Sequence, residues 1–142
     1  YGIELSGDGL SVRDGAKKKQ VAGTAYEGTY IHKRGDYYYL FVSYDFCCRG
    51  LKSDYKVVVG RSTRVTGPYV DKDGRELTRG GGSLVVDSND EFVAIGHSAA
   101  YHFDGKDYFM AHGYSRSEDG ASKLFFREMT WDEEGWPFVS AE

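Results

Sequence analysis

Residues 27–44, EGTYIHKRGDYYYLFVSY, lie over residues 97–114, HSAAYHFDGKDYFMAHGY, at an offset of 70. His32 then meets His102, Gly35 meets Gly105, Tyr38 meets Tyr108 and Tyr44 meets Tyr114. Each segment reads as strand, tight turn at the glycine, strand. The correspondence continues outward in order. Lys56 to Thr63 matches Lys123 to Thr130 at an offset of 67, and Gly67-Pro68-Tyr69-Val70 matches Gly135-Trp136-Pro137-Phe138-Val139 with one insertion. Gly2, Glu4 and Leu5 fall on Gly74, Glu76 and Leu77 at an offset of 72. A unit of about 70 residues holding about four short strands predicts a propeller blade with long connections. On this reading residues 1–25 are the tail of one blade, 26–95 a full blade and 96–142 most of the next.

Composition agrees with an all-β chain. There are 19 Gly, 12 Tyr, 8 Phe and only 2 Pro in 142 residues, which suits short antiparallel strands joined by tight turns. The length suits one domain rather than two. A net charge of −4, with no basic stripe, argues against a nucleic-acid partner. No apolar run approaches the ~18 residues of a membrane-spanning helix, and no signal-peptide pattern opens the chain. A first residue that is Tyr, not Met, suggests a processed or partial chain. About two and a half blades cannot close a ring, since propellers need about four to eight. An open stack leaves apolar surface at its ends, so the chain is expected to pair with further protein material.

The same overlay puts Glu27 on His97, near the start of each repeat, where the innermost strand of a blade lines the axial channel. Two ionisable residues at one position suggest a polar cluster near the axis. Taken alone, Glu27 reads as a solvent-facing strand carboxylate. To serve as an acid it would need burial among aromatics, Tyr26 and Tyr30 being the nearest. His97, in Ile95-Gly96-His97-Ser98, reads alone as a hydrogen-bonded core histidine. His102 lies five residues on and so faces the other way, which argues against a multi-ligand zinc site. The recurrence of His32 and His102 favours a structural role for both.

Other motifs carry less. Cys47-Cys48 reads first as two reduced thiols on opposite faces of a strand end, with a vicinal disulfide as the oxidising-compartment alternative. Asp71-Lys72-Asp73-Gly74 begins like a calcium loop, but Gly82 stands where an EF-hand needs Glu. Gly80-Gly81-Gly82 precedes a strand and so offers no helix N-terminus to phosphate. Lys17-Lys18-Lys19 reads as a solvated loop. No Gly-x-Ser-x-Gly motif occurs.

Several stretches, taken together, resemble the arabinanases of glycoside hydrolase family 43. They are YEGTYIHKRGDYYYLFVSYDFCCRG (26–50), KVVVGRSTRVTGPYVDKDG (56–74), Gly80-Gly81-Gly82, Gly96-His97-Ser98 and WDEEGWP (131–137). They follow in family order over nearly the whole chain. The resemblance implies a five-bladed propeller of which this chain spans the late third to the fifth blade. It implies inverting hydrolysis of α-1,5-linked arabinan, with Glu27 as general acid and His97 as the ligand of a calcium or similar ion at the propeller axis. Inversion requires an acid and a base carboxylate about 6.5–9.5 Å apart. The family's base and modulator Asp motifs are not found here, which places both upstream of Tyr1. Tyr44, Phe46 and Tyr114 are candidates to stack on sugar faces, with core packing equally open for each. Two further partners are implied: arabinan or an arabino-oligosaccharide, and either a second chain or a second copy completing the ring. A polymeric substrate favours secretion. Alone, the chain is expected to be inactive for want of the base. The alternative is an arabinan-binding, weakly active or inactive ring formed by two copies.

Overall fold

In the computed structural model, which describes residues 1–140, the central strand of the first sheet carries the repeat's most apolar run. This is β2 (Tyr37–Tyr44), flanked by β1 (Glu27–Arg34) and β3 (Lys56–Ser62), with β4 (Ser83–Val86) at the edge. The second sheet holds β5 (Phe92–Phe103), β6 (Lys106–Ser115), β7 (Ser122–Trp131) and β8 (Pro137–Val139) in the same order. All neighbours are antiparallel. The second sheet therefore opens at Phe92, inside the stretch the sequence assigned to the preceding unit, and residues 141–142 of the last unit lie outside the described residues. Residues 1–25 contribute only isolated bridges, Gly2 to Lys19 and Leu5 to Val12.

β2 is buried on both faces because both are covered. Tyr39 and Phe41 point into the layer between the sheets, where they meet Phe92, Ile95, Phe109 and Phe125. Leu40 and Val42 point the other way, onto Val21, Ala22, Tyr69 and Leu77. Leu77 reaches β3 where it has no side chain: a Cβ on Gly60 would stand 2.2 Å from Leu77 Cδ1. The Gly23 amide donates to the Leu77 carbonyl, tying the N-terminal segment to this layer.

The pairing corrects the overlay by one residue. Glu27 pairs with Ser43 and Leu40 with Ile31; Gly96 pairs with His112 and Phe109 with Ala100, each 69 residues on. The turns explain the slip. Arg34 pairs with Tyr37 around Gly35-Asp36, and Phe103 with Lys106 around Asp104-Gly105. A two-residue turn accepts glycine at either central position, so aligning the glycines shifts the register. One residue of shift exchanges the faces of a strand. His32 is accordingly equivalent to Tyr101, not to His102. His32 is buried, whereas His102 is exposed.

Both histidines nevertheless meet one carboxylate. Half-buried Asp107 on β6 accepts from Trp131 Nε1 at 2.7 Å and lies 2.8 Å from His102 Nδ1 and 3.5 Å from His32 Nε2. Arg34 Nε stands 3.9 Å away and its guanidinium covers the Trp131 ring. β1 and β2 thus meet the second sheet through a charged clasp at one end and an aromatic core above it.

Candidate active site

The opposite ends of β1 and β5 carry the two residues singled out from the sequence. Glu27 is the first residue of β1, and the ladder is irregular between it and Tyr30. β5 is irregular on both sides of Gly96. Gly28 and His97 fall 69 residues apart at these bulges and share the left-handed conformation, φ 56° and 54°. The structural counterpart of His97 is therefore Gly28, and that of Glu27 is Gly96. The two ionisable residues do not occupy one position; His97 lies against Gly28, the residue that follows Glu27. A Cβ on Gly28 would stand 3.1 Å from both Cα and Cγ of His97. Glycine suits this position because the left-handed φ disfavours a side chain and the close approach of His97 leaves no room for one.

Glu27 is exposed, and its partner is neither Tyr26 nor Tyr30. Tyr26 donates to the Gly81 carbonyl and packs edge-on against Tyr44, while Tyr30 packs into the inter-sheet core. The partner is Tyr55, whose hydroxyl donates to Glu27 Oε1 at 2.7 Å. Tyr55 is 1 % exposed and packs on Val93 and Ala94. Burial, together with the bond to Glu27, pushes its phenol well up, so Tyr55 stays a donor at any working pH. Its ring fills the space over Gly96, where a Cβ would meet Tyr55 Cδ1 at 2.1 Å. The sequence did not single out Tyr55. It stands 28 residues from Glu27, with no local pattern to link them.

His97 is exposed, and its amide donates to Ser43 Oγ at 2.9 Å. Its ring stacks on His112 with centroids 6.4 Å apart. His112, also missed from sequence, has a buried Nδ1 without a hydrogen-bond partner, as has Ser98 Oγ. Burial, reinforced by His97, holds His112 below the ordinary imidazole range. Among the described residues no three His, Cys, Asp or Glu side chains converge to hold a metal ion by themselves. An exposed imidazole beside an orphaned one suits an ion retained chiefly through water, not a closed protein cage.

The aromatic candidates are spread around this point. Tyr114 is half-buried beside Tyr55, and its hydroxyl accepts from the Cys48 amide at 2.9 Å. Phe46 is 58 % exposed on the loop after β2, with the Arg49 guanidinium 4.7 Å over its ring. Tyr44 packs with Tyr26 and Tyr38 on the face of the first sheet turned away from the second. Cys47 and Cys48, read first as thiols, are joined as a vicinal disulfide in the same loop. No helix among the described residues is long and apolar enough to cross a membrane.

The chain is 48% identical over 120 residues to the extracellular exo-α-(1→5)-L-arabinofuranosidase ArbA of Cellvibrio japonicus, covering 84% of this chain and 35% of that protein. It is 36% identical over 115 residues to the extracellular endo-α-(1→5)-L-arabinanase 1 of Bacillus subtilis, covering 81% of this chain and 34% of that one. Among solved structures, Cellvibrio cellulosa α-L-arabinanase complexed with arabinohexaose matches with a TM-score of 0.92 at 39% identity. That match covers 97% of this chain and 48% of the other. An exo-1,5-α-L-arabinanase from a bovine ruminal metagenomic library matches with a TM-score of 0.89 at 44% identity, covering 97% and 47%. The chain thus spans about a third of the curated relatives and about half of the solved ones. The model of the glycosyl hydrolases family 43 matches residues 1–137, and the chain belongs to that family.

Proposed function

We propose that this chain is the acid-bearing part of an inverting glycosidase of α-1,5-linked arabinan, with Glu27 as the general acid. The observation that carries the reading is the Tyr55–Glu27 bond. A buried phenol holds Oε1 and leaves the rest of an otherwise exposed carboxyl free to face a substrate. In the reaction the protonated carboxyl of Glu27 delivers its proton to the glycosidic oxygen as the bond to the anomeric carbon breaks. A water activated by a carboxylate on the opposite face of the sugar completes the inversion. That base is an Asp supplied from outside residues 1–142. His97 lies against Gly28 and would hold a calcium or similar ion, which supplies positive charge at the site when bound. Phe46, Tyr44 and Tyr114 are the proposed sugar contacts. The names of the relatives support an arabinan or arabino-oligosaccharide substrate and an extracellular setting.

The outer face of the second sheet supports the view that the two sheets are blades of a five-bladed ring continued by other protein material. Tyr39 and Phe41 of the first sheet are 1% and 0% exposed because the second sheet covers them. Their counterparts 69 residues on, Tyr108 and Met110, line an open apolar depression with Tyr101, Phe103 and Phe126. The first and last of these three are 58% and 47% exposed. The exposed Ile3, Leu5, Leu10 and Val12 at the other end give a second copy of the chain something apolar to meet, so self-association is the competing way to complete the ring. Native mass separates the two: a monomer that assembles only with a polypeptide bearing the base eliminates the paired-copy form. The catalytic reading is tested by reducing-sugar release from linear arabinan by the assembled protein. Glu27→Gln is expected to lower the rate by about 10²–10⁴-fold; a rate within a few-fold of the original refutes the assignment.

A further inference from the structure

Between β2 and β3 the chain makes a loop that the catalytic reading does not use. It holds the Cys47–Cys48 disulfide together with two non-glycine residues in the left-handed region, Asp45 at φ 68° and Cys48 at φ 69°. Such backbone is unfavourable unless its surroundings impose it. The surroundings here are specific. The Phe46 amide donates to Asp54 Oδ1 at 2.8 Å, the Arg49 amide to Ser53 Oγ at 3.0 Å, and the Cys48 amide to the Tyr114 hydroxyl at 2.9 Å. Half-buried Cys47 packs against the cluster of Tyr55, Val93 and Ala94. Tyr55 in turn holds Glu27 and fills the space over Gly96, next to His97. The disulfide thus packs on the cluster that contains the residue holding the carboxylate.

From this we infer that the Cys47–Cys48 disulfide is a positioning element for Glu27, acting through Tyr55, and makes the acid site responsive to dithiol reductants. The inference rests on the Glu27 reading for its functional meaning only. Cys48 is exposed and Cys47 half-buried, so Cys48 is the sulfur open to attack. A thiolate of the dithiol attacks Cys48 Sγ, the S–S bond breaks, and Cys47 leaves as a thiolate that takes up a proton. The second thiol of the reductant then displaces Cys48 from the mixed disulfide. Two electrons and two protons pass to the protein, and the dithiol becomes a cyclic disulfide. With the ring opened, Cys48 is free to leave its left-handed conformation, which releases the Tyr114 contact and the packing of Cys47 on the cluster of Tyr55, Val93 and Ala94.

The test uses the full chain, oxidised and after reduction with dithiothreitol, and needs no hydrolysis. Amide hydrogen exchange is followed across 45–55, and the side-chain carboxyl carbon of Glu27 and the ring of Tyr55 are followed by NMR at fixed pH. On reduction, exchange in the loop is expected to rise about tenfold, as the loop-closure entropy of so short a ring suggests. The Glu27 and Tyr55 resonances are expected to move, while that of Asp132 stays. The double variant Cys47→Ser, Cys48→Ser should show the reduced pattern and ignore dithiothreitol. If that variant does not fold, reduction and reoxidation of the unaltered chain still decide the matter. Unchanged Glu27 and Tyr55 signals on confirmed reduction overturn the inference. Loss of the Glu27 assignment in the hydrolysis assay would leave these signals intact, so the two failures are distinguishable.

Discussion

Gly96→Ala tests whether Tyr55 is as tightly placed as its contacts imply. Gly96 does not adopt a positive φ, so alanine meets no backbone objection there. Relative to glycine it should even gain about 0.5–1 kcal/mol from lower chain entropy. Against this, the new Cβ falls 2.1, 2.4 and 3.0 Å from Tyr55 Cδ1, Cε1 and Cγ. The ring is 1% exposed and packed on Val93 and Ala94, so no flexible end can swing aside. Overpacking of a well-filled site costs about 1–3 kcal/mol. Moving the hydroxyl off Glu27 forfeits a bond to a charged group worth about 1.5–3 kcal/mol. The net expectation is a loss of about 1.5–5.5 kcal/mol. At a mid-range urea slope of about 2 kcal/mol per molar, that moves the unfolding midpoint down by about 1–3 M. Equilibrium urea unfolding followed by tyrosine and tryptophan fluorescence reads this directly. A midpoint equal to or above that of the parent chain would mean that Tyr55 is free to move, and the account of how Glu27 is held would fail.

Three further outcomes follow from named contacts. Tyr55→Phe keeps the ring and removes only the hydroxyl, so in the assembled enzyme it should alter the pH profile of hydrolysis on the acid-controlled limb. An unchanged profile would remove Tyr55 from the site. Asp107→Ala strands the half-buried Trp131 indole N–H and should cost about 1–2 kcal/mol, measurable as a lower urea midpoint with a changed Trp131 emission. Burial holds His32 below its ordinary value of 6.5, with His102 and Arg34 adding in the same direction and Asp107 opposing. The unfolded chain then takes up a proton before the folded one does. Stability is therefore full above about pH 6.5 and falls on acidification toward the lowered folded value, a limb that His32→Gln should flatten in pH-dependent urea titrations.

Much of the fold was legible along the chain because it rests on local chemistry. A short, nearly continuous aromatic and apolar run at Tyr37–Tyr44, glycines at two-residue turns and a repeat of about 70 residues announce antiparallel strands in successive similar units. The overlay drew attention to Glu27 and His97, but the roles proposed for them rest on the family resemblance. What the overlay could not give was register. Glycine serves either position of a short turn, so matching Gly35 with Gly105 slid the repeat by one residue, and only the hydrogen-bonded ladder shows that His97 answers to Gly28. Nor could any local pattern reveal Tyr55 beneath Glu27, His112 behind His97, or one carboxylate at Asp107 shared by two histidines. Those contacts join residues remote in sequence, and they exist because two twisted sheets pack face to face and bring the ends of β1 and β5 together. Periodicity decides which side of a strand is apolar; which partner a polar group finds is decided only when the sheets meet.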